Sequence, residues 1–277
     1  MLRIDSHQHF WKYDTENFDW ITEEMSVIRK DFFPGELEQT LKANGFDGCI
    51  SVQANQSEEE NDFLLTLAAQ QSVIKGIVGW VDLQSDNIEQ RLAYYQQFPI
   101  MKGFRHVLQG EKKRDLMLTP AFKKGISLLT KYGFTYDILI FPDQLAYSNE
   151  LVKQFSDQKF VLDHLAKPYI RDKKIEEWEA DIKEIAVNEN IYCKVSGMVT
   201  EANWNAWKKE DFFPYLDVVV NAFGTKRIMY GSDWPVCLVA GSYEMVLHIV
   251  KEYFSSFSKE EQEAVFGGNA AKFYNIN

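Results

Sequence analysis

Arg3-Ile4-Asp5-Ser6-His7-Gln8-His9-Phe10-Trp11 is the stretch from which the rest of the chain is best read. It starts as a strand and ends in two histidines two residues apart. Strand side chains alternate with period two, so Asp5, His7 and His9 are expected on one face. Seven further apolar runs give strands at 48–54, 76–83, 102–108, 135–141, 160–164, 191–196 and 227–232, with 2–9 as the first. Ile77-Val78-Gly79-Trp80-Val81 and Ile138-Leu139-Ile140-Phe141 are nearly continuous, which suits parallel strands buried on both faces.

Helix signatures separate the runs. Ser57-Glu58-Glu59-Glu60 reads as a capping box, with Phe63, Leu64, Leu67 and Ala68 behind it at helical spacing. Thr119-Pro120 supplies an N-cap and an N1 proline for the stripe Phe122, Ile126 and Leu129, which ends near Gly133. Other stripes are Ile88, Leu92, Tyr95; Trp178, Ile182, Ile185; and Leu216, Val219, Val220, Phe223 before Gly224. Ser242 opens a helix through Met245, Ile249 and Phe254, and Ser258-Lys259-Glu260-Glu261 caps a last one.

Eight strands alternating with about as many helices predict an α/β fold, a (β/α)8 barrel rather than an open doubly wound sheet. Helix-to-strand links are short, as at Ala43-Asn44-Gly45-Phe46-Asp47, whereas the strand-to-helix segments 10–33, 109–118 and 198–211 are long. In such a barrel the long strand-to-helix loops build the active-site mouth. The chain has 277 residues, 45% of them hydrophobic, and no linker, repeat or low-complexity tract, so 1–277 reads as a single domain.

A formal net charge of −11, with no long Lys/Arg block, argues against a nucleic-acid partner and disfavours a highly anionic substrate. Cys49, Cys193 and Cys237 lie far apart without CxxC spacing, so buried reduced thiols are expected rather than disulfides or a thiolate metal site. No apolar run approaches the ~18 residues of a membrane span. The first strand leaves no room for a signal peptide, and a cytoplasmic soluble protein without a membrane partner is expected.

Polar residues cluster at the strand ends. Strand two ends in Gln53 and Asn55, strand three carries Trp80 and Asp82, and strand four ends in Arg105-His106. Asp137 lies in strand five, Asp163-His164 end strand six, Lys194 and Ser196 end strand seven, and Asp233-Trp234-Pro235 follow strand eight. Singly, each has an ordinary structural explanation: a strand histidine is usually a hydrogen-bonded core residue, and an aspartate after a strand is usually a turn former. In a barrel all these ends meet around one axis, and that convergence predicts a functional site.

His-x-His with an aspartate after the last strand also admits a metal reading, in which His7, His9, His164 and Asp233 face one cation with an open position. A binuclear site is disfavoured. Strand four offers Arg105 and His106 in place of a bridging acid or lysine, Lys102 sits at the wrong end of its strand, and a cation at Arg105 would repel a second metal. The expectation is one divalent ion, zinc if any, or none.

At these residues the chain resembles the amidohydrolase superfamily in its amidohydrolase-2 branch, over nearly its whole length. The resemblance is carried by Asp5-Ser6-His7-Gln8-His9-Phe10-Trp11, His164-Leu165-Ala166-Lys167-Pro168, Gly231-Ser232-Asp233-Trp234-Pro235 and Gly268-Asn269-Ala270-Ala271-Lys272-Phe273-Tyr274. Together these strings look like the sugar-acid lactonases, of L-fuconolactonase and L-rhamnonolactonase type. The resemblance implies hydrolysis of an aldonolactone, with Asp233 taking the proton of the attacking water and His7, His9 and His164 lining the reacting centre. It leaves the metal open, since the branch contains both metal-free lactonases and relatives with a divalent ion.

The residues support that chemistry independently. Lactone hydrolysis needs a base for water, electrophilic help at the carbonyl oxygen and a proton for the leaving alkoxide. Asp233 suits the first, and Arg105, His106 or a metal suits the second. Gln53, Asn55, Arg105, His106 and Asp137 are candidates for binding sugar hydroxyls. Trp80, Trp11 or Trp234 could pack on the ring. The first long loop, with Trp11, Tyr13, Phe18, Trp20 and Phe32-Phe33, reads as a cover over the mouth. Two alternatives stay open from sequence: a metal-dependent decarboxylase of an aromatic or muconic-type acid, and a non-catalytic sugar-acid binding protein.

Overall fold

The computed structural model describes residues 1–276. Eight strands follow one another around one sheet: β1 (Ile4–Gln8), β2 (Gly48–Val52), β3 (Ile74–Gly79), β4 (Met101–His106), β5 (Thr135–Ile138), β6 (Phe160–Leu162), β7 (Ile191–Val195) and β8 (Ile228–Tyr230). Each pairs in parallel with the next. The segment after β8 closes the ring onto β1: Asp233 N donates to His7 O at 2.8 Å and His9 N to Trp234 O at 2.7 Å. This is the expected (β/α)8 barrel.

Helices α1 (Pro34–Ala43), α2 (Glu58–Gln70), α3 (Ile88–Tyr95), α4 (Pro120–Tyr132), α5 (Leu145–Gln154), α6 (Glu176–Ala186), α7 (Phe213–Phe223) and α8 (Tyr243–Tyr253) stand outside the strands. The apolar stripe Phe122, Ile126 and Leu129 of α4 is fully buried against the sheet. Inside the barrel, Ile4, Ile50, Val52, Val78, Val161 and Met229 pack with Ala270, Phe273 and Tyr274 of the C-terminal tail. The tail plugs the end where strands begin, and Lys102 there donates to Asn275 O at 3.1 Å. Among the described residues, no helix is long and apolar enough to cross a membrane.

Most strands are shorter at their C-terminal ends than the apolar runs suggested. β3 spans 74–79, so Trp80 and Val81 lie beyond it. The side chain of Asn61, in α2, replaces the ladder there, accepting from Trp80 N at 2.9 Å and donating to Trp80 O at 2.6 Å. The Ser57 box is only half formed. Ser57 Oγ accepts from Glu60 N at 3.2 Å, but the Glu60 carboxylate reaches past Ser57 to Ala54 N and Asn55 N, at 2.9 and 2.6 Å. Met245 is 47% exposed, so the buried stripe of α8 runs instead through Val246, Leu247, Ile249 and Val250.

Candidate active site

The site is founded on charges buried inside the barrel. Lys194 of β7 is fully buried; its Nζ lies 2.5 Å from Asp137 Oδ2 and 3.0 Å from Asp163 Oδ1. Tyr274 of the tail donates to Asp137 Oδ2 from the other side at 2.9 Å. Arg105 of β4 donates through Nη1 to Asp163 Oδ2 at 3.0 Å and faces His7 Nε2 at 3.2 Å. Gln53 fixes this arginine, since Arg105 Nη2 donates to Gln53 O and Gln53 Nε2 donates to Arg105 O at 3.2 Å. Buried ions in a low-dielectric interior persist only when paired in this way.

His7 stands on that base. Its Nδ1 is 3.4 Å from both Asp163 Oδ1 and Lys194 Nζ. Lys194 already points at two carboxylates, so the consistent arrangement has Nδ1–H facing Asp163 and the Nε2 lone pair facing Arg105. Burial above all pushes the His7 pKa well below its ordinary value, and the Asp163 carboxylate only partly offsets this. Asp163 itself is held well below the usual range, because Lys194, His7 and Arg105 outweigh its burial.

One carboxylate oxygen collects three imidazoles. Asp233 Oδ1 lies 3.3 Å from His9 Nε2, 3.8 Å from His7 Nε2 and 3.9 Å from His164 Nε2. His9 Nδ1 donates to Val52 O at 2.8 Å, which leaves its Nε2 directed at Asp233. His164 Nδ1 shares a 2.9 Å hydrogen bond with Ser196 Oγ, and the hydroxyl can give or take it. Burial opposes ionisation of Asp233, but His164, His9 and His7 outweigh it and hold the carboxyl below its usual range. Burial likewise takes His164 down to about 4, so near neutral pH it faces Asp233 as a neutral ring.

Local backbone strain aims these groups. His164, Leu165, Ala166 and Lys167 are four consecutive residues at φ between 52 and 57°, and Asp233 has φ 57°. The left-handed region costs an L-residue about 1–2 kcal/mol, and such strain collects at functional sites. Trp178 Nε1 pins the turn through Leu165 O at 2.8 Å. Glycines give the rings room: a Cβ at Gly197 would lie 2.4 Å from His164 Nδ1, and one at Gly231 would lie 2.5 Å from His7 Cβ.

A cleft of 470 Å³ opens over the cluster and is lined by His9, Arg105, His164 and Asp233. A hollow of 560 Å³ lies elsewhere and one of 910 Å³ adjoins the cleft through Thr200, Glu201 and Trp204, and neither is lined by a histidine. Polar walls come from Asn55, Gln56, Gln109 and Thr200, apolar ones from Trp20, Leu139 and Trp204. The first long loop supplies Trp20 and Met25 to the mouth, while Trp11, Phe18 and Phe32 anchor it with ring centroids 5.4–5.8 Å apart.

Several expected binders lie off the cleft. His106 points outward from β4, taking Trp80 Nε1 at 3.4 Å on one nitrogen and facing Glu111 Oε1 at 2.8 Å on the other, with Phe122 of α4 beside it. Neighbouring strand residues face opposite ways, so Arg105 and His106 cannot both look inward. Asp137 is sealed beneath Lys194. Gln53 acts on Arg105 rather than on the cleft. Trp234 and Trp11 are buried among aromatics. Asp5 does not share a face with His7 and His9: the register shifts between Asp5 and Gln8, and its carboxylate accepts from Ser232 N at 2.9 Å in the seam between β1 and β8. From the sequence alone Lys194 and Asp163 stand at strand ends without a role. Nor does the sequence assign one to Glu201 or Trp204, whose only signal is membership of a long strand-to-helix loop.

His7, His164 and Asp233 can hold a divalent ion. One donor atom from each lies within 4.8 Å of the others, and two imidazoles with a carboxylate form a donor set suited to zinc. His9 offers a further nitrogen 3.3 Å from the same carboxylate oxygen. Arg105 faces the His7 lone pair that such an ion would use.

The sequence profile of the amidohydrolase family matches residues 4–276. An L-fucono-1,5-lactonase of Burkholderia multivorans is 36% identical, over 99% of this chain and 96% of its own length. An L-fucono-1,5-lactonase of Burkholderia ambifaria is 32% identical, over 100% and 96%. A crystal structure of a Burkholderia multivorans amidohydrolase with bound zinc superposes with a TM-score of 0.97 at 36% identity, covering both chains completely.

Proposed function

The chain belongs to the amidohydrolase family, and we infer that it is a lactonase opening the cyclic ester of a sugar acid, an aldonolactone of the L-fuconolactone or L-rhamnonolactone kind, to the free acid. The observation that carries the site reading is a single carboxylate, Asp233, facing three imidazoles at the floor of a polar cleft.

Asp233, ionised and at the cleft floor, is the general base that takes a proton from water as the oxygen attacks the lactone carbonyl. Arg105, fixed by Gln53 and Asp163, offers its guanidinium to the developing oxyanion, and pre-paid placement of that charge avoids reorganisation during reaction. When the tetrahedral centre collapses, the C–O bond to the ring oxygen breaks. The proton held at Asp233 then passes to the leaving alkoxide, with His164 within reach as relay. His7 and His9 line the reacting centre, with their Nε2 atoms 3.8 and 3.3 Å from Asp233 Oδ1. An ion bound by His7, His164 and Asp233, zinc by its donor set, would polarise the carbonyl and acidify a bound water. A cytoplasmic setting accords with the three free, buried cysteines.

Titration of acid release from a panel of neutral aldonolactones, before and after chelator treatment, tests the reading. The expected result is turnover of at least one five- or six-membered lactone. Carbon dioxide release from aromatic acids without lactone turnover would overturn it.

A further inference from the structure

The charges of the cleft stand in compensated groups. Arg105 meets Asp163, Asp233 faces imidazoles, and Lys167 Nζ lies 3.3 Å from Glu201 Oε1, with the two side chains 17% and 20% exposed in the cleft wall. Asp19 adds another carboxylate at the rim. Lys167 ends the left-handed turn that begins at His164, so one strained element places both a group at the reacting centre and a cation on the wall. Its Nζ also sits 5.7 Å from the centre of the Phe141 ring. Glu201 comes from the short turn Val199–Glu201 after β7, and its side chain pairs with Lys167.

We propose that Lys167 and Glu201 form the specificity pair of the cleft, reading two neighbouring hydroxyls of an uncharged lactone and turning away lactones that carry a carboxylate. The proposal rests on the hydrolytic reading above. A sugar hydroxyl both gives and accepts hydrogen bonds. An ammonium beside a carboxylate presents donors and acceptors side by side, the complement of a vicinal diol. A lysine alone would act as a point charge and draw in any anion. Its partner carboxylate cancels that attraction and repels a substrate carboxylate directly, a penalty on the wrong ligand rather than a gain for the right one.

The test compares kcat/KM for an aldonolactone with that for an aldarolactone of the same ring size, which carries a carboxylate in place of the terminal hydroxymethyl group. Wild type is expected to prefer the neutral lactone. Glu201→Gln leaves Lys167 uncompensated and should shift the ratio towards the carboxylated lactone by roughly tenfold or more. Lys167→Met should raise KM for the neutral lactone more than it lowers kcat. A merely structural pair would depress both substrates alike, so an unmoved ratio in a folded Glu201→Gln, checked by circular dichroism, overturns the proposal. If that variant does not fold, an unchanged KM in Lys167→Met overturns it. Wild type opening neither lactone defeats the hydrolytic reading and the pair with it, whereas a wild type active on the neutral lactone with an unmoved ratio defeats the pair alone.

Discussion

At Gly197 the backbone has φ +60°, and an added Cβ would lie 2.4 Å from His164 Nδ1. Gly197→Ala should therefore displace His164, which shares its Nδ1 hydrogen bond with Ser196 on the neighbouring position. The expected outcome is a fall in kcat of roughly tenfold or more, with a stability loss of at least the ~1–2 kcal/mol that left-handed alanine costs. Steady-state kinetics and thermal melts check this; unchanged kcat would show that His164 needs no such clearance. The meeting of His7, His9, His164, Arg105 and Asp233 in one place was legible, because the strand ends of a barrel converge on one axis. The same reading failed for His106, Trp80 and Asp137. Residue type cannot say whether a side chain looks in or out once a strand shifts register, nor how deep in the barrel it lies.

Among the elements, α2 has an unusual start. Glu60 spans the turn between β2 and α2, its carboxylate accepting from Ala54 N and Asn55 N, next to Asn55 and Gln56 of the cleft wall. Burial pushes its pKa up to about 7, only partly opposed by those two amides and by Arg105, the charged group that faces it. The folded chain thus holds the Glu60 proton up to about pH 7, while the unfolded chain releases it near 4.5. This contribution to stability is full below the unfolded value and is lost as pH rises through the folded one. Glu60→Gln removes it, and all other titrating groups are common to both proteins. The melting-temperature advantage of wild type over Glu60→Gln should widen as pH falls from about 7.5 to about 5; a constant gap would show that Glu60 titrates normally, and a shrinking one that its amide partners and Arg105 hold it below its ordinary value. Strands and helices were readable because burial on both faces leaves continuous apolar runs and helical packing leaves stripes. The cap was misread because a capping box and a longer-range carboxylate bridge share one sequence signature.

For the whole molecule, the decisive event is closure of the last strand onto the first. Two backbone hydrogen bonds, Asp233 N to His7 O and His9 N to Trp234 O, bring together residues more than two hundred positions apart. Alternation of strands and helices made that closure foreseeable, since in a barrel the end of β8 must lie beside β1. The long loops were not foreseeable in detail: the aromatics of the first one announced Trp20 at the mouth, but loop conformation has no period, so Glu201 and Trp204 became wall residues without a pattern to announce them. Closure sets the Asp233 carboxylate at the cleft floor, the position from which we propose that it activates water against a lactone. The most direct measurement is kcat for Asp233→Asn, by acid release on the lactone that wild type opens fastest, with circular dichroism to confirm the fold. A fall of roughly 10²–10⁴-fold is predicted, and a folded variant with a kcat close to that of wild type would contradict it.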